Sequence, residues 1–462
     1  MTSGEGILDP LGQESRSDEL VGDVAFARAM VEVEAGLIRV LVDARLVPDW
    51  MSEVATAMSV TELDLPGLAA AGRGGGNPVI PLVAQLSAFA ETQHPHASDS
   101  VHVGATSQDI LDSAAMLVAH RAISEISTRL RALCAELALL ADQHRGTPMP
   151  GRTLGQHASP TSFGLVAAGW LDGLLGALAR LESVDESLPV SLGGSVGTLG
   201  VLTEVARARR PDAVPEELAE SLVGALARRL SLRAPSAPWH SNRIPIVELG
   251  AALAAAVGAV GAMAVDVSVL SRTEIAEVSE RLGAGEGSSS AMPHKRNPVT
   301  AVLLVSAARQ SPGLVATLFA AQLAEDQRPS GAWHSEWLAL RELERLAIDS
   351  ATAGAALAGR LDIDVARMAA NLDVTDGLIY SERVSTIIAE SIGKTEAFDL
   401  VAAASREAVE TGRPLRVVVA ARLAPVDDDL RERVWAAFDP DAGLGAAGRI
   451  IDAVLVRAKE LL

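Results

Sequence analysis

Apolar residues recur every three or four positions through the middle of the chain. One such stripe consists of Ile126, Leu130, Leu133, Leu137 and Leu140, and a second of Leu253, Val257, Val260, Ala264 and Val267. This spacing is typical of amphipathic helices that each bury one face. The two stripes therefore predict long helices of one bundle, and the small side chains around the second predict close approach to its neighbours.

Strand patterns are weak along the sequence. The best candidate, residues 415–419, is more consistent with a helix end or a short extended connection. Residues 249–265 carry no charge over roughly the length that crosses a bilayer. Because Ala and Gly dominate this stretch and Glu248 and Asp266 border it, we favour a helix buried in a bundle. The sequence thus predicts an all-α protein.

Composition supports this architecture and limits the partners. A chain of 462 residues is longer than a single hydrophobic core usually accommodates, so we expect two or three domains or one elongated helical body. Hydrophobic residues make up 49% of the chain but aromatic residues only 3%, which favours aliphatic helix packing over a β-sandwich or barrel. The formal net charge of −20 argues against nucleic acid or an anionic membrane as the main partner.

Cysteine usage and the first residues indicate the compartment. Cys134 is the single cysteine, which excludes an internal disulfide and a multi-cysteine zinc site, as expected in a reducing cytoplasm. Residues 1–20 are polar and acidic and lack the basic and apolar regions of a signal peptide. The sequence therefore predicts a cytoplasmic protein.

The segment at residues 287–298, GSSSAMPHKRNP, carries the strongest sign of chemistry. Serines after glycines predict a mobile loop, and Pro293 and Pro298 restrict the backbone that follows. A lysine, an arginine and an asparagine then occupy consecutive positions. A solvated loop with a chance basic pair would have the same composition, but the ordered string is far more specific than its composition.

This string resembles the signature GSSxMPxKxNP of the fumarase/aspartase superfamily, in the form of the branch that holds adenylosuccinate lyase and bacterial 3-carboxy-cis,cis-muconate cycloisomerase. The first and second signatures of that superfamily resemble VHVGATSQD at 101–109 and GRTLGQHASP at 151–160. Further segments similar to the cycloisomerase sequences lie at residues 76–83, 163–174, 238–243 and 331–337. The similarity runs over nearly the whole chain from about residue 21.

The resemblance implies an all-helical enzyme of three domains: an N-terminal domain at 1–112, a central helical bundle at 113–361 and a C-terminal domain at 362–462. In this family the long central helices form a homotetramer, and three subunits contribute to each active site. The implied partners are a small polycarboxylate and further copies of the chain. The implied chemistry needs neither a metal nor an organic cofactor.

Enzymes of this superfamily add or remove a group β to a carboxylate through a dianionic aci-carboxylate. Such chemistry requires a base and hydrogen-bond donors where negative charge develops. The resemblance implies that the base is Ser289, six residues before Lys295, rather than Ser288 or Ser290. Because a serine alkoxide needs N–H groups and cations around it, Lys295 would supply charge, and Asn297 would donate to the substrate carboxylate.

The other two signatures are expected to hold substrate carboxylates. By resemblance Thr106 and Ser107 bind one carboxylate, although either residue could simply cap the following helix. The two roles are compatible, because a helix N-terminus attracts anions. Arg152 and Thr153 are the implied ligands of another carboxylate, since a guanidinium grips a carboxylate through two parallel bonds.

The proton donor is the least defined role. Many relatives place a histidine directly after the Arg-Thr pair, where this chain has Leu154. His157 is the first candidate for a catalytic part, with a merely structural histidine on a helix as the alternative, and His102 is the second candidate. Arg243 and Arg328 are expected to complete a basic lining around a polyanionic substrate.

The implied reaction is cyclisation of 3-carboxy-cis,cis-muconate to 4-carboxymuconolactone, a step in aromatic (protocatechuate) degradation. The first alternative is elimination from another succinate derivative, such as nitrosuccinate or adenylosuccinate, to give fumarate. A non-catalytic scaffold is the second alternative, and the intact Ser289, Lys295 and Asn297 argue against it. Residues 243–245 read Arg-Ile-Pro where relatives often have Arg-Asp-Arg, and residues 325–326 read Glu-Asp where they often have Glu-His, so the substrate is open.

Overall fold

Helices dominate the computed structural model, which describes residues 7–283, 285–423 and 428–462. In chain order the α-helices of the described residues are α1 Ser17–Val21, α2 Asp23–Asp43, α3 Met51–Ala57, α4 Leu65–Gly75, α5 Val79–Gln93, α6 Ser107–Gln143, α7 Phe163–Asp185, α8 Gly200–Arg209, α9 Pro215–Leu230, α10 Ile244–Leu270, α11 Val299–Ala321, α12 Ala332–Gly359, α13 Val365–Asp373, α14 Ser381–Ile392, α15 Lys394–Thr411, α16 Leu415–Arg422, α17 Asp428–Ala436 and α18 Ala447–Leu461. The all-α prediction is confirmed.

Strands are short and form two antiparallel pairs among the described residues. The first pair joins β1 Pro148–Thr153 to β2 Gln156–Ser162, and the second joins β3 Val278–Glu280 to β4 Leu361–Ile363. Residues 415–419, the best strand candidate in the sequence, lie in helix α16 instead, in agreement with the interpretation we favoured.

The chain divides into two compact units, each assembled from separated stretches of sequence. Unit 1 comprises Met1–Leu130, Ala177–Gly258 and Ser306–Ala353, and unit 2 comprises Arg131–Gly176, Ala259–Val305 and Gly354–Leu462. The boundaries fall inside long helices rather than in the loops between them. The division into three domains at residues 112 and 361 stays a prediction.

Both predicted helical stripes face the interior. All five stripe positions of α10 are buried, as are Ile126, Leu130, Leu133 and Leu137 of α6. Close approach at α10 is confirmed within unit 2, where a Cβ added to Gly354 would lie 2.8 Å from Val260 Cγ1. Gly354 of α12 thus leaves room for the side chain of Val260 on α10.

Three of the described helices are long and apolar enough to cross a membrane by length and composition alone. They are Phe163–Asp185, Ile244–Leu270 and Val299–Ala321, and their most apolar windows are 56%, 50% and 22% buried. Residues 249–265 lie in the second of them, α10, as predicted. The third, α11, leaves most of its apolar surface uncovered in a single chain.

The C-terminal helices pack around their own core. Val384, Ile388, Val401, Val418 and Val419 belong to one buried cluster built from residues 372–437. Helices α13 and α14 are strongly amphipathic, because their apolar residues recur at helical spacing and lie on one face.

A buried carboxyl on α12 makes the stability of the protein depend on pH. Glu344 is fully buried, and neither of its oxygens has a hydrogen-bond partner among the described residues. Burial raises the pKa of Glu344 to about 8, against a smaller opposite effect of Arg341. The folded state therefore holds this proton more tightly than the unfolded chain, and stability falls as the pH rises from about 4.5 towards 8.

We expect Glu344→Met to raise the free energy of unfolding more at pH 8 than at pH 5. The difference between the two gains is on the order of 3 kcal/mol, from about 1.4 kcal/mol per pH unit across this window. Urea unfolding at both pH values measures it. Glu220→Met, at an exposed position of α9, controls for the loss of one carboxylate, and an equal gain at both pH values would contradict the assignment.

Candidate active site

The first signature forms a sharp turn that leads into α6 in unit 1. His102 and Gly104 adopt positive φ angles of 59° and 74°. A Cβ on Gly104 would lie 2.4 Å from Leu202 Cγ, so glycine is required there for space as well as for its backbone angle. The turn places Thr106 and Ser107, both half-buried, at the start of α6.

Asp109 ties this turn to two other segments of unit 1. Its buried carboxylate accepts hydrogen bonds from the backbone N–H groups of Gly193 at 2.8 Å, Gly194 at 2.9 Å and Thr106 at 3.0 Å. His240 Nε2 lies 2.7 Å from the same carboxylate. Asp109 therefore caps the first turn of α6 by accepting from the backbone N–H of Thr106, and its own N–H donates to the backbone oxygen of Thr106.

Arg328 lies directly against the first signature. Its Nη2 donates to Thr106 Oγ1 at 2.9 Å and to Ser195 O at 3.4 Å, and its Nε donates to Gln108 Oε1 at 3.2 Å. Nη1 has no hydrogen-bond partner among residues 7–283, 285–423 and 428–462. The structure thus brings two predicted carboxylate ligands, Thr106 and Arg328, into contact.

Arg243 does not fit its expected place in the lining of the pocket. Its guanidinium is fully buried and pairs with Asp112 at 2.8 Å and Glu336 at 2.7 Å. Trp239 lies under it, with the guanidinium carbon 4.8 Å from the ring centroid. The guanidinium of Arg243 is fully engaged by two carboxylates and one aromatic ring. Arg243 therefore supports the fold of unit 1 rather than contacting a substrate.

His102 is held by a buried acid. Its Nδ1 lies 2.6 Å from Glu34 Oε1. Burial lowers the pKa of His102, but the hydrogen bond and charge of Glu34, together with the charge of Asp109, outweigh burial and leave the pKa raised. His102 is therefore more readily protonated than an ordinary histidine, beside the turn that holds Thr106.

In unit 2 the second signature is a β-hairpin, so His157 lies on a strand and not on a helix. Pro148, Pro150 and Pro160 lie in the two strands. Proline removes a backbone donor and disfavours helix in the residue before it, which explains the extended backbone. Arg152 faces His157 across the hairpin, and Thr153 pairs with Gln156 beside the tip.

Arg152 is anchored by an acid that no sequence motif singles out. Its two terminal nitrogens donate to Glu277 at 2.6 and 2.9 Å, and Asn371 Nδ2 donates to the same carboxylate at 2.7 Å. Glu277 is fully buried, whereas the Arg152 side chain keeps 17% of its surface exposed. The parallel pair of bonds predicted for Arg152 is thus made to Glu277, and its exposed edge is what remains for a ligand.

The surroundings of His157 make this residue harder to protonate than an ordinary histidine. Burial lowers the pKa of His157, the charge of Arg152 lowers it further, and Glu277 acts in the opposite direction. Its Nδ1 is buried without a hydrogen-bond partner among the described residues. At the hairpin tip Leu154 is fully exposed at a positive φ of 50°.

The third signature places backbone donors on the predicted base. Ser289 Oγ accepts hydrogen bonds from the N–H groups of Met292 at 3.2 Å and Ala291 at 3.4 Å. Ser288 differs, because its hydroxyl donates to Gly285 O. Two converging N–H groups stabilise negative charge on an oxygen, so Ser289 is the serine of the three whose surroundings suit an alkoxide.

Asn297 closes the signature loop, while Lys295 remains open. Both the backbone N–H and Nδ2 of Asn297 donate to Gly287 O, at 3.0 and 3.2 Å. Lys295 is exposed and forms no ion pair with any described residue. In the described part of unit 2, no hydrogen bond or ion pair links the signature loop to the β1–β2 hairpin.

Several residues that organise the site were not among the predicted site residues. They are Asp109, Gln108, His240 and Glu277, and each is at most 4% exposed. Asp109 had a local signal, since an acid three residues after Thr106 predicts a reciprocal cap. The other three act through contacts distant in sequence, which no local pattern reveals.

The helical fold and the three signature segments define a member of the fumarase/aspartase superfamily. A model of the lyase family matches residues 75–313, and a model of the adenylosuccinate lyase C-terminus matches residues 377–454. The chain belongs to this lyase family and is an enzyme of the fumarase/aspartase superfamily.

Relatives with two different activities resemble the chain over nearly its whole length. A nitrosuccinate lyase of Streptomyces davaonensis is 43% identical over 97% of this chain and 94% of that protein. A 3-carboxy-cis,cis-muconate cycloisomerase of Bradyrhizobium diazoefficiens is 38% identical over 97% of both chains. Among solved structures, the 3-carboxy-cis,cis-muconate lactonizing enzyme of Pseudomonas putida superposes with a TM-score of 0.86 at 34% identity, covering 96% of this chain and 97% of that one.

Proposed function

We propose that this enzyme eliminates the β-substituent of a substituted succinate, and that nitrosuccinate is its substrate, giving fumarate and nitrite. One observation supports this class of reaction above the others: the hydroxyl of Ser289 accepts hydrogen bonds from two backbone N–H groups inside the signature loop. Preorganised donors of this kind lower the free energy of an alkoxide and supply a base where the family signature requires one.

The reaction begins when the Ser289 alkoxide removes a proton from the central carbon that does not bear the nitro group. This carbon is next to one carboxylate. The electron pair of the broken C–H bond moves into that carboxylate and forms the aci-carboxylate. Collapse of this intermediate makes the carbon–carbon double bond and breaks the C–N bond, so that nitrite leaves with the bonding electron pair. Ser289 then returns its proton to solvent.

Donors suited to substrate carboxylates occur in each unit. In unit 1, Thr106 and Ser107 and the free edge of Arg328 form one group of donors. Because Thr106 Oγ1 accepts from Arg328, its own hydroxyl proton is available to an anion.

In unit 2 we assign substrate binding to the exposed edge of Arg152 and to Thr153. Lys295 is assigned the task of balancing the charge of the alkoxide and the intermediate, since it is exposed and has no described ion-pair partner. Asn297 acts indirectly, by holding the loop around Ser289 closed.

Nitrosuccinate is the preferred substrate for two reasons. The relative that acts on it is 43% identical, against 38% for the cycloisomerase of Bradyrhizobium diazoefficiens. The lowered pKa of His157 also makes that residue less readily protonated, and nitrite, a weak base, departs without a proton donor. Relatives often have other residues at positions 243–245 and 325–326, so these segments do not tie the chain to the cycloisomerase substrate.

Lactonisation of 3-carboxy-cis,cis-muconate is the second candidate. It is supported by the cycloisomerase-like segments around residues 76–83 and 331–337 and by the lactonizing enzyme that superposes over 96% of this chain. In that reaction a carboxylate oxygen adds to the double bond, and the Ser289 hydroxyl delivers the proton to the neighbouring carbon. Ser289 would thus give a proton to carbon in lactonisation, whereas it takes a proton from carbon in elimination.

Parallel assays with the purified full chain separate these candidates. Nitrite release measures turnover of nitrosuccinate, and loss of diene absorbance measures turnover of carboxymuconate. We expect kcat/KM for nitrosuccinate to be at least tenfold higher than kcat/KM for carboxymuconate. Faster turnover of carboxymuconate would replace the first candidate with the second. Turnover of neither substrate at high enzyme concentration would contradict both.

We expect His157→Gln to lower kcat less than about tenfold, because the proton transfer is assigned to Ser289 and His157 is left a hydrogen-bonding role that glutamine reproduces. Steady-state kinetics on the active substrate measure the effect. His144→Gln, at a second histidine of unit 2 whose pKa is lowered by burial, is the matched control. A loss of a hundredfold or more at His157 alone would assign it the proton transfer that we give to Ser289.

We also propose that the enzyme is a cytoplasmic homotetramer with active sites shared between subunits. The support is α11, whose apolar window is only 22% buried in one chain and which exposes Val302 and Phe319. Light scattering should give about four times the 47.9 kDa chain mass. Phe319→Asp should shift that mass downward, and a chain found only in the membrane fraction or only as a monomer would contradict the proposal.

A further inference from the structure

We propose that Gln108 is a positioning residue that fixes the plane of the Arg328 guanidinium for a substrate carboxylate. The inference rests on the proposed function, because it assigns Arg328 to carboxylate binding. It adds a residue outside the predicted ligands, and it makes substrate affinity depend on a buried amide.

The orientation of the Gln108 amide is determined by its neighbours. Gln108 is fully buried, and its Nε2 lies 2.8 Å from His240 O and 3.2 Å from Asp112 Oδ2. Both neighbours are acceptors, so the nitrogen must face them and the oxygen must face the other way. Oε1 is thereby presented to Arg328 Nε at 3.2 Å.

Asp112 is itself held rigidly, which prevents the amide from turning. Its carboxylate accepts from Arg243 Nη1 at 2.8 Å, Arg243 Nη2 at 3.1 Å and Trp333 Nε1 at 2.9 Å. Arg243 is paired in turn with the buried Glu336. A continuous set of buried bonds thus runs from Glu336 to the guanidinium of Arg328.

This arrangement leaves a defined part of Arg328 for a ligand. Gln108 holds Nε, and Thr106 Oγ1 holds Nη2, which together fix the guanidinium plane. The donors of Nη1 have no partner among the described residues and lie in that same plane. Fixing the plane in advance removes the entropy cost of ordering an arginine when the carboxylate binds.

The test is a double-mutant cycle on KM. We expect Gln108→Met to raise KM about tenfold, equivalent to about 1.4 kcal/mol, with kcat changed less than threefold. In an Arg328→Met background, Gln108→Met should change KM less than twofold, because the arginine that it orients is absent. Gln85→Met, at a glutamine of unit 1 that bonds the backbone of Asp64 outside this set of bonds, is the control and should change KM less than threefold.

A KM for Gln108→Met equal to that of the wild type would overturn the inference while leaving the reaction intact. So would an undiminished effect in the Arg328→Met background, since that result indicates general disruption of unit 1. Should Gln108→Met fail to fold, Arg328→Lys provides the comparison, because lysine keeps the charge but cannot bond Gln108 and Thr106 in one plane. An unchanged KM for Arg328→Lys would then overturn the inference.

Failure of the proposed function is recognised separately. If the wild type turns over neither substrate, calorimetric titration with propane-1,2,3-tricarboxylate replaces KM in the same cycle. Binding by the wild type that weakens about tenfold in Gln108→Met supports the positioning role alone. Absence of binding by the wild type would overturn the inference together with the proposed function.

Discussion

Replacing Ser289 with alanine is expected to lower kcat by about a thousandfold on the active substrate, within the range that a positioned base contributes to proton transfer. The physical reason is that Ser289 Oγ is the oxygen on which the N–H groups of Met292 and Ala291 converge. KM should change little, since the proposed carboxylate ligands stay in place. Steady-state kinetics on nitrosuccinate and carboxymuconate measure both parameters.

The neighbouring serines are matched controls for this variant. Ser288→Ala removes a hydroxyl that donates to Gly285 O, and Ser290→Ala removes an exposed one. We expect each to keep kcat within about fivefold of the wild type, about 1 kcal/mol in activation free energy. A Ser289→Ala variant that retains activity within threefold would show that the base is elsewhere in the chain.

Replacing Arg243 with methionine is expected to lower the free energy of unfolding by about 3 to 5 kcal/mol. Removing one partner of a buried ion pair leaves charge uncompensated in the interior, and here both Asp112 and Glu336 would lose their counterion. Urea unfolding at pH 7 measures the loss. The folded fraction of the variant should show a KM raised no more than in Gln108→Met, about tenfold, because Arg243 reaches Arg328 only through Asp112 and Gln108.

Arg328→Met is the contrasting variant, because this arginine is half-buried and forms no ion pair with any described residue. It should leave stability within about 1 kcal/mol and raise KM substantially. A joint Asp112→Asn and Glu336→Gln change in the Arg243→Met background should recover part of the lost stability, since no buried charge is then unpaired. A stable Arg243→Met protein with a greatly raised KM would instead restore Arg243 to the pocket.

The sequence is most informative where structure is local and repetitive. The stripes on α6 and α10 follow directly from helical spacing, which predicts both helices without any knowledge of their partners. The β1–β2 hairpin is not predicted, because its prolines look like loop punctuation and its strand pairing depends on two segments meeting. The two units are not predictable either, since each collects residues from distant parts of the chain.

The candidate site shows the same contrast. The ordered string at 287–298 is enough to single out Ser289, and the N–H groups of Ala291 and Met292 agree with that choice. Arg243 ends a family-like segment and is therefore expected in the pocket, yet its charge is used up by two buried acids. Residue type and motif identify which groups are charged, but only the fold determines which charges remain free.

The proposed elimination is tested most directly by measuring fumarate and nitrite together in one reaction of the full chain with nitrosuccinate. We expect one fumarate and one nitrite for each nitrosuccinate consumed, with both products lost in parallel in Ser289→Ala. Nitrite release without fumarate, or equal rates of fumarate formation by the wild type and Ser289→Ala, would contradict the proposed chemistry.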